Sequence, residues 1–270
     1  MAVLSVPDAP VGDWLEAAAR RLSRRSYDGR PVAEDALAAL ESVCERFRSA
    51  AEVRTVLARE APPDMFRGIL GSYGRISGAP SALAFVGPAA GEDVPVAIGY
   101  SGETAVLEAT RLGLGTCWVS GLFRRSTAAA IADCDAGEAV WAVSPVGYPR
   151  ATLSGAERLL YRQKPGRARH RLAAGEIAPG IGSAWPDWAC KGVEAARHAP
   201  SAANRQPWRF RYEGDHVVIA YAGPESVKYP KRLDCGIAML HFELAARASG
   251  VPGSWLLLAG GADVASWVVE

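Results

Sequence analysis

The sequence lacks the features that mark several common protein classes. Its five cysteines are scattered and include no Cys-x-x-Cys pair, so we expect reduced thiols and neither a disulfide framework nor a zinc site. No uninterrupted run of about 18 apolar residues occurs, which predicts no transmembrane helix. Residues 1–14 lack the basic start of a signal peptide. Together these absences favour a cytoplasmic protein without a membrane partner.

An excess of charge of one sign is also missing, because the formal net charge is only +1. This argues against the broad basic surface that binds nucleic acid, so no nucleic-acid partner is expected. No Gly-x-Gly-x-x-Gly or Walker sequence is present, and the four histidines lack metal-binding spacing. The arginines are instead clustered locally, which indicates a local anionic ligand.

What the sequence does contain is periodic apolar character, with 49% hydrophobic residues in a chain of 270. This is enough for one large core or two modest ones. Spacings of three and four predict helices that begin at Asp13 and Ser126, and others over residues 37–47, 95–112, 187–199 and 232–249. Short apolar runs predict strands over residues 82–86, 116–119, 138–146, 208–213, 216–221, 254–258 and 264–269. Helices mixed with hairpin-linked strands indicate the α+β class.

The two parts of the chain share landmarks. When residues 99–118 are laid on residues 236–255, a helix, its terminating glycine and the tryptophan of the next strand coincide. A weaker match places residues 49–52 on residues 201–204. Coincidence between two helix–glycine–strand units is the alternative. We predict two related halves that intertwine as a fused dimer would: a first half over residues 1–150, a basic crossover over 151–185 and a second half over 186–270.

The strongest local signal is Pro-Ser-Ala-Ala-Asn-Arg-Gln-Pro-Trp over residues 200–208, where a helix ends and a strand follows an X-Pro step. We call residues 200–206 the amide loop. Small side chains let a flat ligand approach the backbone, and the amides of Asn204 and Gln206 offer mixed donors and acceptors to a heteroaromatic ring. An ordinary helix-to-strand loop is the alternative. The pattern Pro-Ser-x-x-Asn-x-Gln-Pro-Trp resembles the flavin-contacting motif of the nitroreductase family.

The arginine segment, Arg24-Arg25-Ser26, follows the first predicted helix. Two guanidinium groups and a hydroxyl can bind a phosphate, although many such triplets are simply solvated. The segment resembles the phosphate-binding N-terminal motif of the same family. The sequence departs from the family two positions after the serine, where a cation is common and Asp28 stands here. Arg30 is a candidate substitute.

The post-helix segment, residues 113–121, reads Gly-Leu-Gly-Thr-Cys-Trp-Val-Ser-Gly. It resembles the family segment that presents backbone groups to the flavin ring, a role that maps onto Ser120 and Gly121. A buried strand with a capping glycine is the alternative. For Trp118 and Cys117 we predict packing, since no histidine lies near the thiol in sequence to activate it.

The crossover carries Lys164, Arg167, Arg169 and Arg171. Family members have a basic pair after a Gly-Tyr-Pro-like strand end, and Arg167 and Arg169 occupy the comparable place, with a register uncertain by two residues. A solvated basic linker is the alternative.

The resemblance implies a single FMN site shared by the two halves, because the second half has no arginine segment. Its implied residues are Arg24, Arg25, Ser26, Ser120, Gly121, Arg167, Arg169, Pro200, Ser201, Ala202, Asn204 and Gln206. It also implies an oxidoreductase that takes electrons from NADH or NADPH and reduces a small-molecule acceptor such as a nitroaromatic or quinone in a ping-pong mechanism. The sequence singles out no catalytic acid. The chain would act as a monomeric pseudo-dimer or a weak homodimer. A degenerate flavin-binding protein without turnover, and flavin-dependent dehalogenation or flavin breakdown, are the alternatives.

Overall fold

A computed structural model describes residues 2–47, 52–62, 64–66, 76–152, 157, 170–182, 184–226 and 229–270. The helices are α1 Val11–Arg20, α2 Glu34–Arg46, α3 Val94–Arg111, α4 Arg125–Ile131, α5 Ala174–Ile177, α6 Asp187–Ala196 and α7 Lys231–Ala248. The strands are β1 Val3–Leu4, β2 Arg54–Ala58, β3 Ser81–Pro88, β4 Gly115–Thr116, β5 Glu138–Gly147, β6 Trp208–Tyr212, β7 Val217–Tyr221, β8 Gly253–Leu257 and β9 Asp263–Val269. This mixture of helices and antiparallel sheets confirms the α+β class.

Most predicted elements are present, with differences at their ends. Helix α1 begins two residues before Asp13, which is not the cap but lies in the first turn, where a carboxylate complements the helix dipole. Helix α4 likewise begins before Ser126. The strand predicted over residues 116–119 shrinks to β4 and a separate bridge from Val119 to Val143. Strands β1 and β2 were not predicted.

The strands form two antiparallel sheets with a common plan. One sheet has the order β2-β3-β5-β4, and the other has the order β6-β7-β9-β8 with β1 added at its edge. Each has an irregular register at a comparable point, between Phe85 and Val86 in β3 and between Ile219 and Ala220 in β7. Strand β1 therefore lies in the sheet of the second half although it starts the chain.

Helices α3 and α7 pack against each other between the sheets through two glycines. A Cβ atom on Gly99 would lie 2.0 Å from the carbonyl oxygen of Leu233, and one on Gly236 would lie 2.0 Å from that of Val96. Each helix thus approaches the backbone of the other at its own glycine, which no residue with a side chain permits. Both helices are buried along nearly their whole length. Among the described helices, none combines the length and apolar character that crossing a membrane requires.

Candidate functional site

The amide loop follows α6 and has an unusual backbone. Ala203, Asn204 and Gln206 have φ angles of 53°, 53° and 47°, in the left-handed region that residues with side chains rarely adopt. The hydroxyl of Ser201 accepts a hydrogen bond from the Gln206 N–H at 2.9 Å and closes the turn. Strained backbone of this kind is concentrated at functional sites, so the loop conformation supports a functional role.

The loop is anchored to α7 by Asp234. This carboxylate accepts from the Ala202 N–H at 3.1 Å and from the Arg205 guanidinium at 2.8 Å. Burial raises the pKa of Asp234 to about 6, although the Arg205 charge and the Ala202 N–H favour the ionised form. Arg205 also donates to the carbonyl of Tyr229. The loop is therefore anchored by an ion pair between two residues of the second half, of which Asp234 is buried.

The two amides of the loop bind the end of the crossover. Asn204 Oδ1 accepts from Arg171 at 3.0 Å, and its Nδ2 donates to the His170 carbonyl at 2.9 Å. Gln206 is buried; its Oε1 accepts from the Leu172 N–H, and its Nε2 donates to the same His170 carbonyl. The sequence predicts that these amides contact a ring. For that contact, some of the hydrogen bonds to the crossover would have to be replaced by bonds to the ring, so the contact stays a prediction. Pro200 is buried and Ser201 and Ala202 are half-buried beside them.

Arg171 is the one member of the basic crossover group that lies within the described residues. Its guanidinium donates to the carbonyls of His198 and Ala199 at the end of α6 as well as to Asn204. Burial, together with the charges of Arg21 and Arg197, lowers its pKa to about 10. Lys164, Arg167 and Arg169 lie outside the described residues, so their predicted role is untested.

The arginine segment runs along the edge strand β4. The Arg24 N–H donates to the Thr116 carbonyl at 2.8 Å, and Arg24 packs against Gly115, where a Cβ would come within 3.0 Å. Ser26 is buried. The segment is thereby fixed next to the start of the post-helix segment.

A carboxylate already binds the arginine segment. Glu157, which is 1% exposed, accepts from the Arg25 N–H at 2.8 Å and lies 3.9 Å from Arg24 Nε. The backbone N–H and the guanidinium thus converge on an oxyanion, which is the donor set that a phosphate needs. The arrangement fits the phosphate of FMN, provided that the phosphate takes the place of the Glu157 carboxylate.

Asp28, where the sequence departs from the family pattern, is paired with the nearby Arg30. Asp28 accepts from both the N–H and the guanidinium of Arg30, the latter at 2.8 Å, and the Arg30 hydrogen bonds lower its pKa. The Arg30 guanidinium lies 4.2 Å from the centre of the Tyr148 ring. Arg30 is therefore committed to Asp28 and Tyr148 in this conformation.

The post-helix segment meets the second half at Tyr229. A Cβ on Gly121 would lie 2.1 Å from the Tyr229 ring, so Gly121 is required for this approach. Because Tyr229 also accepts from Arg205, Gly121 and the neighbouring Ser120 come close to the amide loop. Trp118 stacks on Phe85 with ring centres 4.1 Å apart, and Cys117 is 3% exposed, as expected for packing residues.

The site also has a buried residue that the motifs did not identify. Glu103 of α3 is fully buried and bonds Trp118 and His241. The sequence signal for Glu103 was a carboxylate among the apolar positions of a predicted helix. A buried carboxylate is rare unless it is paired.

Of the residues that the sequence match places on the amide loop, the structure describes Glu52. It is matched to Asn204 and has a similar φ of 57°. A cavity of about 250 Å³ is lined by residues 3–8, the end of α2 and residues Tyr100 and Ser101, and Glu52 does not line it. Its volume is below the roughly 300–1,000 Å³ of ordinary ligand sites.

Comparison with known proteins identifies the family. Residues 13–246 match the family described as "Putative TM nitroreductase". A structure described as a "putative nitroreductase" from Thermotoga maritima is 24% identical, with 95% of this chain and 93% of that chain covered and a TM-score of 0.60, which shows a common fold. No curated protein matches the chain.

Two further solved structures are more distant. A nitroreductase family protein from Clostridium difficile 630 is 19% identical over 62% of this chain and 98% of its own, with a TM-score of 0.46. A nitroreductase with bound FMN from Bacteroides fragilis is 17% identical over 52% of this chain and 91% of its own, with a TM-score of 0.40. The family match spans well over half of the sequence, and the chain therefore belongs to the nitroreductase family.

Proposed function

We propose that the chain is an FMN-dependent oxidoreductase that uses NADH or NADPH to reduce a small acceptor such as a nitroaromatic or a quinone. The observation that carries this proposal is the meeting of two motif segments at Tyr229. Gly121 of the first half packs on its ring, while Arg205 of the amide loop binds its carbonyl. The two segments that resemble the family's ring contacts thus contact one tyrosine although they lie far apart in the sequence.

We also propose that the two halves are related and form a pseudo-dimer with one site. Support comes from the common strand order, the matching irregularities in β3 and β7, and the reciprocal contact of Gly99 and Gly236. The second half offers no arginine segment, and in the first half Glu52 stands where the sequence match places Asn204. One flavin per chain, in a chain that works as a monomer or weak homodimer, is the consequence.

Each segment would contribute one physical task. The Arg24 guanidinium and the Arg25 N–H, which contact Glu157 in this structure, would bind the terminal phosphate together with the Arg25 guanidinium, and Ser26 would add a hydroxyl. Ser120 and Gly121 would present backbone groups to one side of the ring, and the small residues Ser201 and Ala202 would leave room over its face. Bound FMN supplies the hydride chemistry, while the protein fixes orientation and local charge.

A second function is favoured by one specific observation. Glu157 occupies the anion position, and the amides of Asn204 and Gln206 are engaged within the chain. A degenerate flavin-binding protein without turnover would tolerate such contacts. Dehalogenation or flavin breakdown on this fold would share the site and differ only in the second substrate.

Reconstitution separates these functions. The protein is saturated with FMN, freed of excess ligand and denatured, and the released flavin is identified and counted. We expect one FMN per chain and no FAD, because the sheets of the described residues are antiparallel and form no dinucleotide-binding fold that would hold an adenylate. Two flavins per chain would contradict the one-site arrangement.

Turnover is tested on the same sample under anaerobic conditions. NADH or NADPH should bleach the flavin absorbance, and a nitroaromatic or quinone should restore it, with parallel steady-state plots. Free FMN at the same concentration, without the protein, serves as the control. Tight binding without reduction by either nicotinamide would replace the reductase by the non-catalytic function.

A further inference from the structure

Glu103 lies at the centre of a buried network that joins three separate parts of the site. Its carboxylate accepts from Trp118 Nε1 at 2.7 Å, lies 3.0 Å from His241 Nε2 and lies 4.0 Å from Arg21 Nε. The side chains of Glu103 and His241 are fully buried, and that of Arg21 is 4% exposed. Trp118 and His241 contact the carboxylate directly and Arg21 lies at ion-pair distance, so the mutual orientation of these buried groups is restricted.

The three partners belong to different segments. Arg21 follows α1 and stands just before the arginine segment, while Trp118 stands just before Ser120 and Gly121. His241 lies on α7 and so belongs to the second half. Glu103 itself lies on α3, which packs on α7 through Gly99 and Gly236. One carboxylate therefore links both first-half segments of the site to the central helix of the second half.

Packing already restricts the Trp118 ring, and Glu103 determines where its N–H points. The ring stacks on Phe85, and a Cβ on Gly102 would lie 2.6 Å from it, so no room exists for a second orientation nearby. The charged acceptor then fixes the indole along the direction of its N–H bond. Two residues further on, the backbone at Ser120 turns towards Tyr229.

Stability alone does not account for this network. Desolvation of a buried ion pair offsets most of its attraction, and an apolar replacement is often neutral. The network also leaves polar atoms unused, since Arg21 Nε and His241 Nδ1 have no hydrogen-bond partner among the described residues. Its main physical effect is geometric, because each partner is confined to the one position that satisfies the carboxylate.

We propose that Glu103 is a positioning residue that fixes the arginine segment and the post-helix segment relative to the second half. Its effect on flavin binding rests on the proposed function, whereas its effect on the backbone of residues 115–121 does not. The two effects can therefore be measured separately.

The matched control is Glu243, a second fully buried carboxylate, which lies on α7. It accepts from the Tyr100 hydroxyl at 2.6 Å and the Val6 N–H at 2.9 Å and pairs with Arg247 at 2.8 Å. Glu243 thus resembles Glu103 in being buried and in accepting a hydrogen bond from an aromatic side chain. Its contacts, however, reach the N-terminal segment and not the proposed site. Glu103→Gln and Glu243→Gln should lower stability to a similar degree.

Hydrogen exchange of the flavin-free protein is the first readout. In Glu103→Gln the neutral amide cannot form an ion pair with Arg21. Its NH₂ group also faces the N–H of either Trp118 or His241, where the carboxylate had an oxygen to accept it. We expect amides of residues 115–121 to exchange at least about fivefold faster than in the wild type, a loosening of about 1 kcal/mol. Glu243→Gln should leave them unchanged. Equal exchange in Glu103→Gln and the wild type would overturn the proposal.

FMN affinity, measured by quenching of flavin fluorescence, is the second readout. Glu103→Gln should weaken binding about tenfold, while Glu243→Gln should change it less than twofold. Trp118→Phe keeps an aromatic ring next to Phe85 and removes the N–H together with part of the indole, so it should loosen the same segment and serves if Glu103→Gln does not fold. Faster exchange with unchanged FMN affinity would overturn the positioning role. If Glu103→Gln exchanges faster and the wild type itself binds no FMN, the network stands and the proposed function is refuted instead.

Discussion

Two positions that the sequence match places together, Glu52 after α2 and Asn204 after α6, are alike in backbone and unlike in side chain. They share a left-handed φ, of 57° and 53°. The amide loop around Asn204 is anchored by Asp234, whereas the position on α3 that the match places on Asp234 is Ala97, which is buried and apolar. The two sheets thus share a plan, and a few polar side chains distinguish the amide loop.

The interface between the halves should be equally sensitive from both sides. Gly99→Ala and Gly236→Ala each place a methyl group within 2.0 Å of a backbone oxygen, so α3 and α7 must separate. We expect each variant to lose about 3 kcal/mol or more of unfolding free energy, or to fail to fold.

Gly12→Ala is the control, because Gly12 lies in α1 with nothing within 4 Å of its Cβ position. It should be neutral or stabilising by about 0.5–1 kcal/mol. Denaturant unfolding of the three variants measures the difference. A severe loss in only one of the two interface variants would contradict the reciprocal contact.

Asp234, which anchors the amide loop, should make the free energy of unfolding depend on pH. Ala97, the position matched to it in the first half, carries no group that titrates. Because burial raises the pKa of Asp234 from 3.8 to about 6, the folded protein binds the proton more tightly than the unfolded chain does. This contribution is therefore lost as the pH rises from about 4 to about 6. Its size is at most about 3 kcal/mol.

Asp234→Asn removes this titration. The unfolding free energy of the wild type minus that of the variant should fall across that pH range and stay flat above it. A difference independent of pH would show that Asp234 keeps an ordinary pKa.

The loops themselves should differ in flavin binding. Asn204→Ala removes the bonds to Arg171 and the His170 carbonyl and leaves alanine at a left-handed φ, so we expect FMN affinity to fall roughly ten- to a hundredfold. Glu52→Ala should leave it nearly unchanged. Titration of flavin fluorescence measures both, and equal losses would mean that both loops bind flavin.

The smallest expected effects concern the arginine segment, where two changes should act in opposite directions. Arg25→Ala should weaken FMN binding about tenfold through loss of a charge-assisted contact, with apo-protein stability changed by no more than about 0.5 kcal/mol. Glu157→Gln should tighten binding about threefold, since a neutral amide competes less well with phosphate for the Arg25 N–H. Weaker binding in Glu157→Gln would show that the carboxylate supports the site and does not occupy it.

The sequence allowed the periodic elements and the motif segments to be predicted, because both depend on local spacing. Helices α2, α3 and α7 bury the predicted apolar positions, and the hairpin of β6 and β7 pairs antiparallel as expected. The internal repeat and the shared flavin site stay predictions that the strand order and Tyr229 support.

What sequence reasoning missed depends on partners far away in the chain. Strand β1 has only two residues and exists through its pairing with β8. Glu103 is defined by Arg21, Trp118 and His241, which share no motif spacing. The hydrogen bonds that Gln206 makes with Leu172 and His170 likewise depend on where the end of the crossover lies in the fold.

The pairing of β1 with β8 sets an order on how the protein can be made. Val3 and Leu4 leave the ribosome well before their partners Leu256 and Trp255 are synthesised. The sheet of β2 to β5 comes from a continuous stretch that precedes β6 to β9 and can pair while synthesis continues. The other sheet has to wait for β8, so β1 can complete its edge only after a long delay.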